Sequence, residues 1–313
     1  MTEGLVLGGT NNQFEVEMPD GSVRLCVIKG KILKGCEGYY NPLAPGDRVT
    51  VAEDETDARR GQIVSLVPRL NHFVRWNQKG NAPQLLAANL DLAVIVTTPA
   101  EPPFRPRFVD RALIQADAEH IEPIILMNKC DLKSDPDADD RMSDWARLGY
   151  RTLRVSARTG EGMDALSEVL SGRLSAFVGQ SGVGKSSLLN ALDARLALKT
   201  GSLSEKFGRG THTTTKGMLF HLPPDAGGKV ASIVDTPGVR RFILHDIPAK
   251  DLVLYFREME PLVGNCTWGL SCSHENEPGC KILEAVYSGV IHEQRYESWQ
   301  RIRDEIETGS WSD

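Results

Sequence analysis

The chain has 313 residues, 41% of them hydrophobic and 25% charged, with a formal net charge of -6. Single cores seldom grow beyond roughly 250–300 residues, so two or three domains are expected rather than one. The acidic balance excludes a protein that coats nucleic acid through net charge alone, though not one with a local basic patch, and no apolar run approaches the ~20 residues of a membrane helix.

The first residues, "MTEGLVLGGTNNQ", have neither the basic start nor the apolar core of a signal peptide, so a cytoplasmic protein with no membrane partner is expected. From Leu5 to about Val67, the short runs "QFEVEM", "VRLCVIKG", "DRVTVAE" and "GQIVSLVP" alternate or are β-branched, and turn signals separate them. They predict a small all-β barrel over residues 1–70. About five strands would fit an OB-type fold, a scaffold that often binds oligonucleotides. Arg24, Lys29, Lys31 and Lys34 are compatible with phosphate contacts there, and equally with an ordinary solvated face. Residues 71–88, which include "NHFVRWNQKGNAPQ", contain polar, Gly and Pro positions and read as a linker.

Over residues 89–245 the rhythm changes. "LDLAVIVTT", "IEPIILMNK", "YRTLRVSA", "LSAFVGQS", "GMLFHL" and "VASIVDTPG" are apolar runs of strand length, several separated by helix-like segments such as "RFVDRALIQADAEH". Strands with little polar alternation, interleaved with helices, predict a mostly parallel sheet covered on both faces, a doubly wound α/β domain. Residues 246–313 read as mainly helical around a cysteine cluster. Cys26, Cys36 and Cys130 are scattered, which is no disulfide framework. Cys266, Cys272, His274 and Cys280 are spaced C-x₅-C-x-H-x₅-C in one short loop. Three thiolates and an imidazole make a closed tetrahedral zinc site, structural because no position remains for water.

Four motifs each follow an expected strand, where ligands of open α/β sheets bind. "GQSGVGKSS" runs from Gly179 through Gln180, Ser181, Gly182, Val183, Gly184, Lys185 and Ser186 to Ser187, between the strand "LSAFV" and a helix start. Its glycines let backbone N–H groups wrap phosphates, Lys185 reaches the β- and γ-phosphates, and Ser186 ligates Mg²⁺. In "DTPG", Asp235 can hold the Mg²⁺ shell and the Gly238 N–H can sense a γ-phosphate. In "NKCD", Asp131 can accept from both N1–H and the exocyclic amino group of guanine, which adenine does not present, so GTP is selected over ATP. Asn128 braces that loop and the Lys129 stem lies along the ring. In "VSART", the Ala157 N–H meets guanine O6 and Ser156 braces the turn.

The order is unusual: base loops, then phosphate loop, then switches. Joining the usual ends and cutting after "DTPG" gives it, and closely spaced domain termini make such permutation tolerable.

With a leading barrel, "AANLDLAVIV", "NKCDL", "GQSGVGKSSLLN", "GTHTTT", "DTPGVRRF" and the cysteine cluster, nearly the whole chain resembles the circularly permuted, small-subunit-dependent bacterial GTPases of the RsgA (YjeQ) family. The resemblance implies an OB-fold N-terminal domain, a circularly permuted P-loop GTPase domain and a C-terminal zinc domain. It implies action on the small ribosomal subunit and its rRNA late in assembly, as a monomer that binds with GTP and leaves after subunit-stimulated hydrolysis. Members usually carry a basic residue before the switch histidine; here it is Thr211, with Arg209 nearby.

Many regulatory GTPases orient the attacking water with a glutamine after the "DTPG" glycine, where this chain has Val239. His212 is the expected substitute, and Thr214 the second Mg²⁺ ligand, with Thr213 and Thr215 left open. Two other classes remain: a nucleotide-gated RNA-binding module with incidental hydrolysis, and a GTPase acting away from ribosomes. Trapping of a hydrolysis-dead variant on subunits separates the first from an enzyme, and subunit pull-down with a GTP analogue separates the second. Because "DTPGVRRF" leads straight into the zinc domain, hydrolysis is expected to reorient that domain.

Overall fold

A computed structural model describes residues 1–10, 12–30, 33–54, 57–198, 217–239 and 241–310. His212, Thr214 and their neighbours in "GTHTTT", and Lys31, lie outside the described residues.

The N-terminal unit is a barrel of β1 (Thr2–Thr10), β2 (Gln13–Glu17), β3 (Val23–Ile28), β4 (Arg48–Glu53) and β5 (Arg60–Leu66). Its order is β1-β2-β3-β5-β4, closed by β1 against β4, with β3 and β5 parallel. Strand alternation sends Phe14, Val16, Cys26, Val49, Val51 and Ile63 inward to form its core. This is OB-type connectivity. Arg24 is not a free cation on it, because its guanidinium pairs with Glu53 at 3.2 Å; Lys29 and Lys34 are exposed.

Residues 71–88 are not a loop. β6 (His72–Asn77) and β7 (Ala82–Ala88) form an antiparallel hairpin with Phe73, Val74 and Leu85 to Ala88 buried. The polar stretch read as a linker is only its turn: Asn77 Oδ1 accepts from the N–H groups of Lys79 and Gly80 at 3.1 and 3.2 Å, and Asn81 is left-handed. The hairpin seals onto the barrel at Gly46, whose φ is +92° and whose Cβ, were it present, would lie 2.1 Å from Ala88 O.

The central domain alternates β8 (Leu92–Thr97), α1 (Pro106–Ala118), β9 (Glu122–Met127), α2 (Pro136–Arg147), β10 (Arg151–Arg154), α3 (Met163–Leu170), β11 (Leu174–Gly179) and α4 (Lys185–Leu192). β12 (Met218–His221) and β13 (Ser232–Asp235) complete a sheet ordered β10-β9-β8-β11-β13-β12. The first five strands are parallel and β12 is antiparallel to β13. Both faces are covered: Leu92, Val94 and Val96 of β8 join one core, Ala93 and Ile95 the other. One pairing, Gly8 with Met218, joins this sheet to the barrel.

The C-terminal segment holds 3₁₀ turns at Ala249–Tyr255, Glu260–Leu262 and Gly269–Ser271, then α5 (Lys281–Tyr287) and α6 (Glu293–Thr308). Phe256, Met259, Ile282, Trp299 and Ile302 belong to the same buried cluster as α1 and β8. A charged knot locks α6 onto the domain: buried Asp110 of α1 accepts from Arg141 of α2 at 2.8 Å, Arg295 of α6 at 2.7 Å and Trp145 Nε1 at 3.0 Å.

Candidate nucleotide site and metal centre

The loops that follow β9, β10, β11 and β13 converge at one end of the sheet, because all four strands are parallel and each is followed at once by a turn. After β11 the phosphate loop turns through Gly182 and Gly184, both left-handed, into α4. Gly184 is also required by space, since a Cβ there would lie 2.3 Å from Asn128 Nδ2. Ser186 and Ser187 lie in the first turn of α4, and Ser181 and Gly182 flank the turn before it.

Lys185 is buried, with Nζ donating to Gly179 O at 2.9 Å and Gln180 O at 3.3 Å. Burial pushes its pKa down to about 8, against the attraction of Asp235. Asp235, at the end of β13, is pushed upward by burial and held back by Lys185. Its Oδ1 is buried with no hydrogen-bond partner among the described residues. An orphaned carboxylate oxygen calls for a ligand, and a cation beside the phosphate loop fits that need. Gly238 lies against the loop, where a Cβ would come 3.0 Å from Ser181 Cα, and Val239 N–H donates to Gly179 O at 3.2 Å.

Asn128 clips three loops together. Its backbone N–H donates to Thr97 O at 2.9 Å, its Nδ2 donates to Val183 O at 2.9 Å, and its Oδ1 accepts from the Ala157 N–H at 3.2 Å. The Ala157 N–H, expected to meet guanine O6, is thus given to Asn128 in this structure. Lys129, left-handed at φ 62°, reaches Glu101 O at 2.6 Å and Gly182 O at 3.0 Å. Asp131 accepts from the Ser156 hydroxyl and from Arg158, whose Nε lies 3.0 Å from Oδ2. These bonds, Ser156 first, hold its carboxyl below the ordinary range. Oδ2 takes both Nε and Nη2 of Arg158, while Oδ1 keeps a second lone pair for a donor such as a purine N–H. Arg158 was legible as the fourth letter of "VSART", but nothing in its spacing marks it as the partner of Asp131.

The four metal-ligand candidates are buried and meet. The donor atoms of Cys266, Cys272, His274 and Cys280 all lie within 4.8 Å of one another. Cys266 Sγ is 3.9 Å from Cys280 Sγ, and His274 Nδ1 is 3.6 and 3.4 Å from those two sulfurs. A tetrahedral ion with bonds of about 2.3 Å to sulfur needs edges of about 3.8 Å, so the donors fit a metal ion. The Tyr296 hydroxyl on α6 holds the loop by donating to His274 O at 2.6 Å.

The family model described as RsgA GTPase matches residues 66–245. The chain belongs to the RsgA GTPase family. As a member it is a GTPase, with a barrel before the α/β domain and a metal-ligand cluster behind it. It is 38% identical over 311 residues to the small ribosomal subunit biogenesis GTPase RsgA of Chlorobaculum parvum, covering 97% of this chain and 98% of that one. To the protein of the same name from Azotobacter vinelandii it is 39% identical over 304 residues, 96% of this chain and 84% of that one. Among solved structures, YjeQ from Thermotoga maritima matches with a TM-score of 0.71 at 31% identity, covering 97% and 98% of the two chains. YloQ, a circularly permuted GTPase, matches with a TM-score of 0.66 at 25% identity, covering 100% and 97%. Among the described residues no helix is long and apolar enough to cross a membrane.

Proposed function

We propose that the chain is a cytoplasmic, monomeric GTPase of late small-subunit maturation that binds the subunit with GTP and leaves once the subunit has stimulated hydrolysis. The similarity to RsgA proteins along 97% of the chain carries this reading. Asp131 reads guanine, with Ser156 and Asn128 bracing the loops and Ala157 turning its N–H to the base. The backbone from Gly179 to Ser187 wraps the phosphates, and Lys185 trades its loop carbonyls for the β- and γ-phosphates. Gly238 senses the γ-phosphate. Ser186 and Thr214 ligate Mg²⁺ with Asp235 in its outer shell; when bound, the ion neutralises charge on the phosphates. Zn²⁺ is the ion for the three cysteines and His274, where it ties the loop together.

Val239 is buried and has no group to orient water, so His212 takes that task with help from the subunit. Co-sedimentation with purified small subunits tests the cycle: binding is expected with a non-hydrolysable GTP analogue and its loss with GDP. No binding in either state, or equal turnover with and without subunits, would sink the proposal. His212→Ala is expected to keep GTP affinity and lose stimulated turnover.

A further inference from the structure

Beside the phosphate loop a cleft of about 450 Å³ opens between α1, the segment after Gly238 and α6. Arg105, Arg107, Arg111, Arg241 and Arg301 line it, over Phe104, Phe108 and Phe242. Acidic neighbours are fewer, and some are occupied. Asp135 caps α2 by accepting the Asp137 N–H at 3.0 Å, Arg111 is paired with Glu305, and Asp137 and Glu297 complete the set. The side chains of Arg105, Arg107 and Arg301 make no hydrogen bond or ion pair among the described residues. Burial, then the like charges of Arg301 and Arg111, lower the Arg107 pKa against the smaller opposing pull of Glu305 and Glu297.

In a chain of net charge -6, such a concentration selects a polyanion. Planar guanidinium forks match phosphate oxygens, and arginines arriving from the start of α1 and from α6 fit successive groups of a chain better than one small ion. The barrel offers less, since Arg24 is neutralised by Glu53 and Glu15 and Glu17 lie on β2. We propose that this cleft binds the phosphodiester backbone of RNA, a site that rests on the ribosomal reading above and gives it a surface. Arg241 and Phe242 follow Gly238 closely, so an RNA strand held here and the nucleotide state bias one segment, each acting on the other.

The test uses the full-length protein with a GTP analogue bound and compares Arg107→Glu/Arg301→Glu with Arg107→Lys/Arg301→Lys. Binding to small subunits and to an RNA duplex of about 16 base pairs is measured against KCl, with intrinsic GTP turnover and melting temperature as controls. Charge reversal is expected to weaken both interactions at least tenfold and to lower the log–log salt slope by about one for each phosphate no longer neutralised, while lysine retains most of the affinity. Should the reversal impair folding, Arg107→Ala/Arg301→Ala is expected to weaken binding in the same direction. Unchanged affinity and slope in a folded variant would overturn the cleft and leave the ribosomal reading standing. Wild-type protein that ignores subunits, yet binds the duplex in a reversal-sensitive way, would overturn the ribosomal reading and keep the cleft. Tripolyphosphate binding abolished by reversal without loss of RNA affinity would reassign the cleft to a free polyphosphate and overturn the RNA assignment.

Discussion

Asp110→Asn isolates the charged knot that fastens α6 to the GTPase core. Burial alone would raise the Asp110 carboxyl, but the guanidiniums of Arg141 and Arg295 outweigh it and hold the group below the ordinary carboxylate range. The substitution keeps the shape and one acceptor but leaves two buried guanidiniums short of a counter-charge. Removing one partner of a buried ion pair costs about 3–5 kcal/mol, and the isosteric change belongs near about 3 kcal/mol. At about 2–4 °C per kcal/mol, melting is expected to fall by about 6–12 °C, read by circular dichroism. Exposed Glu297→Gln should stay within about 0.5 kcal/mol of wild type. The advantage of wild type over the variant is full above the unfolded carboxyl pKa of about 3.9 and disappears as pH falls through the lower folded value. Faster hydrogen exchange in α6 should accompany the substitution. An unchanged melting temperature at pH 7 would refute the electrostatic account of this knot.

Asp131→Asn is expected to weaken GTP binding by about 10- to 100-fold and to shift preference toward xanthosine triphosphate, measured by competition; unaltered selectivity would remove Asp131 from base reading. Lys185 is held near a pKa of about 8, below its unfolded value, so the unfolded chain binds the extra proton between about pH 8 and 10. Nucleotide-free wild type should therefore gain up to about 3 kcal/mol relative to Lys185→Met over that range, and a flat difference would show that the lysine is not desolvated. Atomic absorption should find one zinc per chain, and chelation or Cys280→Ser should lower the melting temperature; protein purified without metal and unaffected by chelator would contradict the zinc centre.

The strands of the α/β domain were legible because burial on both faces leaves them almost without polar residues, as in β8 and β9. The hairpin was not, because its apolar side chains pack on residues far along the chain: Phe73 meets Phe242 at 5.4 Å between centroids, and the Trp76 N–H donates to Ile243 O at 3.0 Å. Local composition showed only its turn. The charged knot was invisible for a related reason. Asp110, Arg141 and Arg295 sit in helices of mixed charge, where a sequence pattern gives no sign that three ionised side chains face one another. The metal loop was legible because all four ligands are local.

The motif order led to an expected reorientation of the C-terminal domain on hydrolysis, and the packing weighs against a free rotation of that domain. Swinging α6 away from α1 would break the Asp110–Arg295 bond at 2.7 Å and the Arg111–Glu305 pair, at a cost of several kcal/mol. The segment after Gly238 is held more lightly on its other side. There, among the described residues, it meets the hairpin through one backbone hydrogen bond, about 1 kcal/mol, and two aromatic pairs, Phe73–Phe242 and Trp76–His245, each of about the same size. The hairpin in turn is sealed to the barrel at Gly46, by Ala88 N–H to Pro45 O at 2.9 Å and Asn89 Nδ2 to Gly46 O at 2.8 Å. Among the described residues the barrel's links to the central sheet include the Gly8–Met218 pairing, the Glu17–His221 contact at 2.9 Å and the packing of Leu5 and Leu7 on the central core. A displacement beginning at Gly238 therefore meets least resistance toward the hairpin and barrel, with α6 riding on α1. Permutation then matters because it threads the segment after the γ-phosphate loop between a soft seam and a hard one.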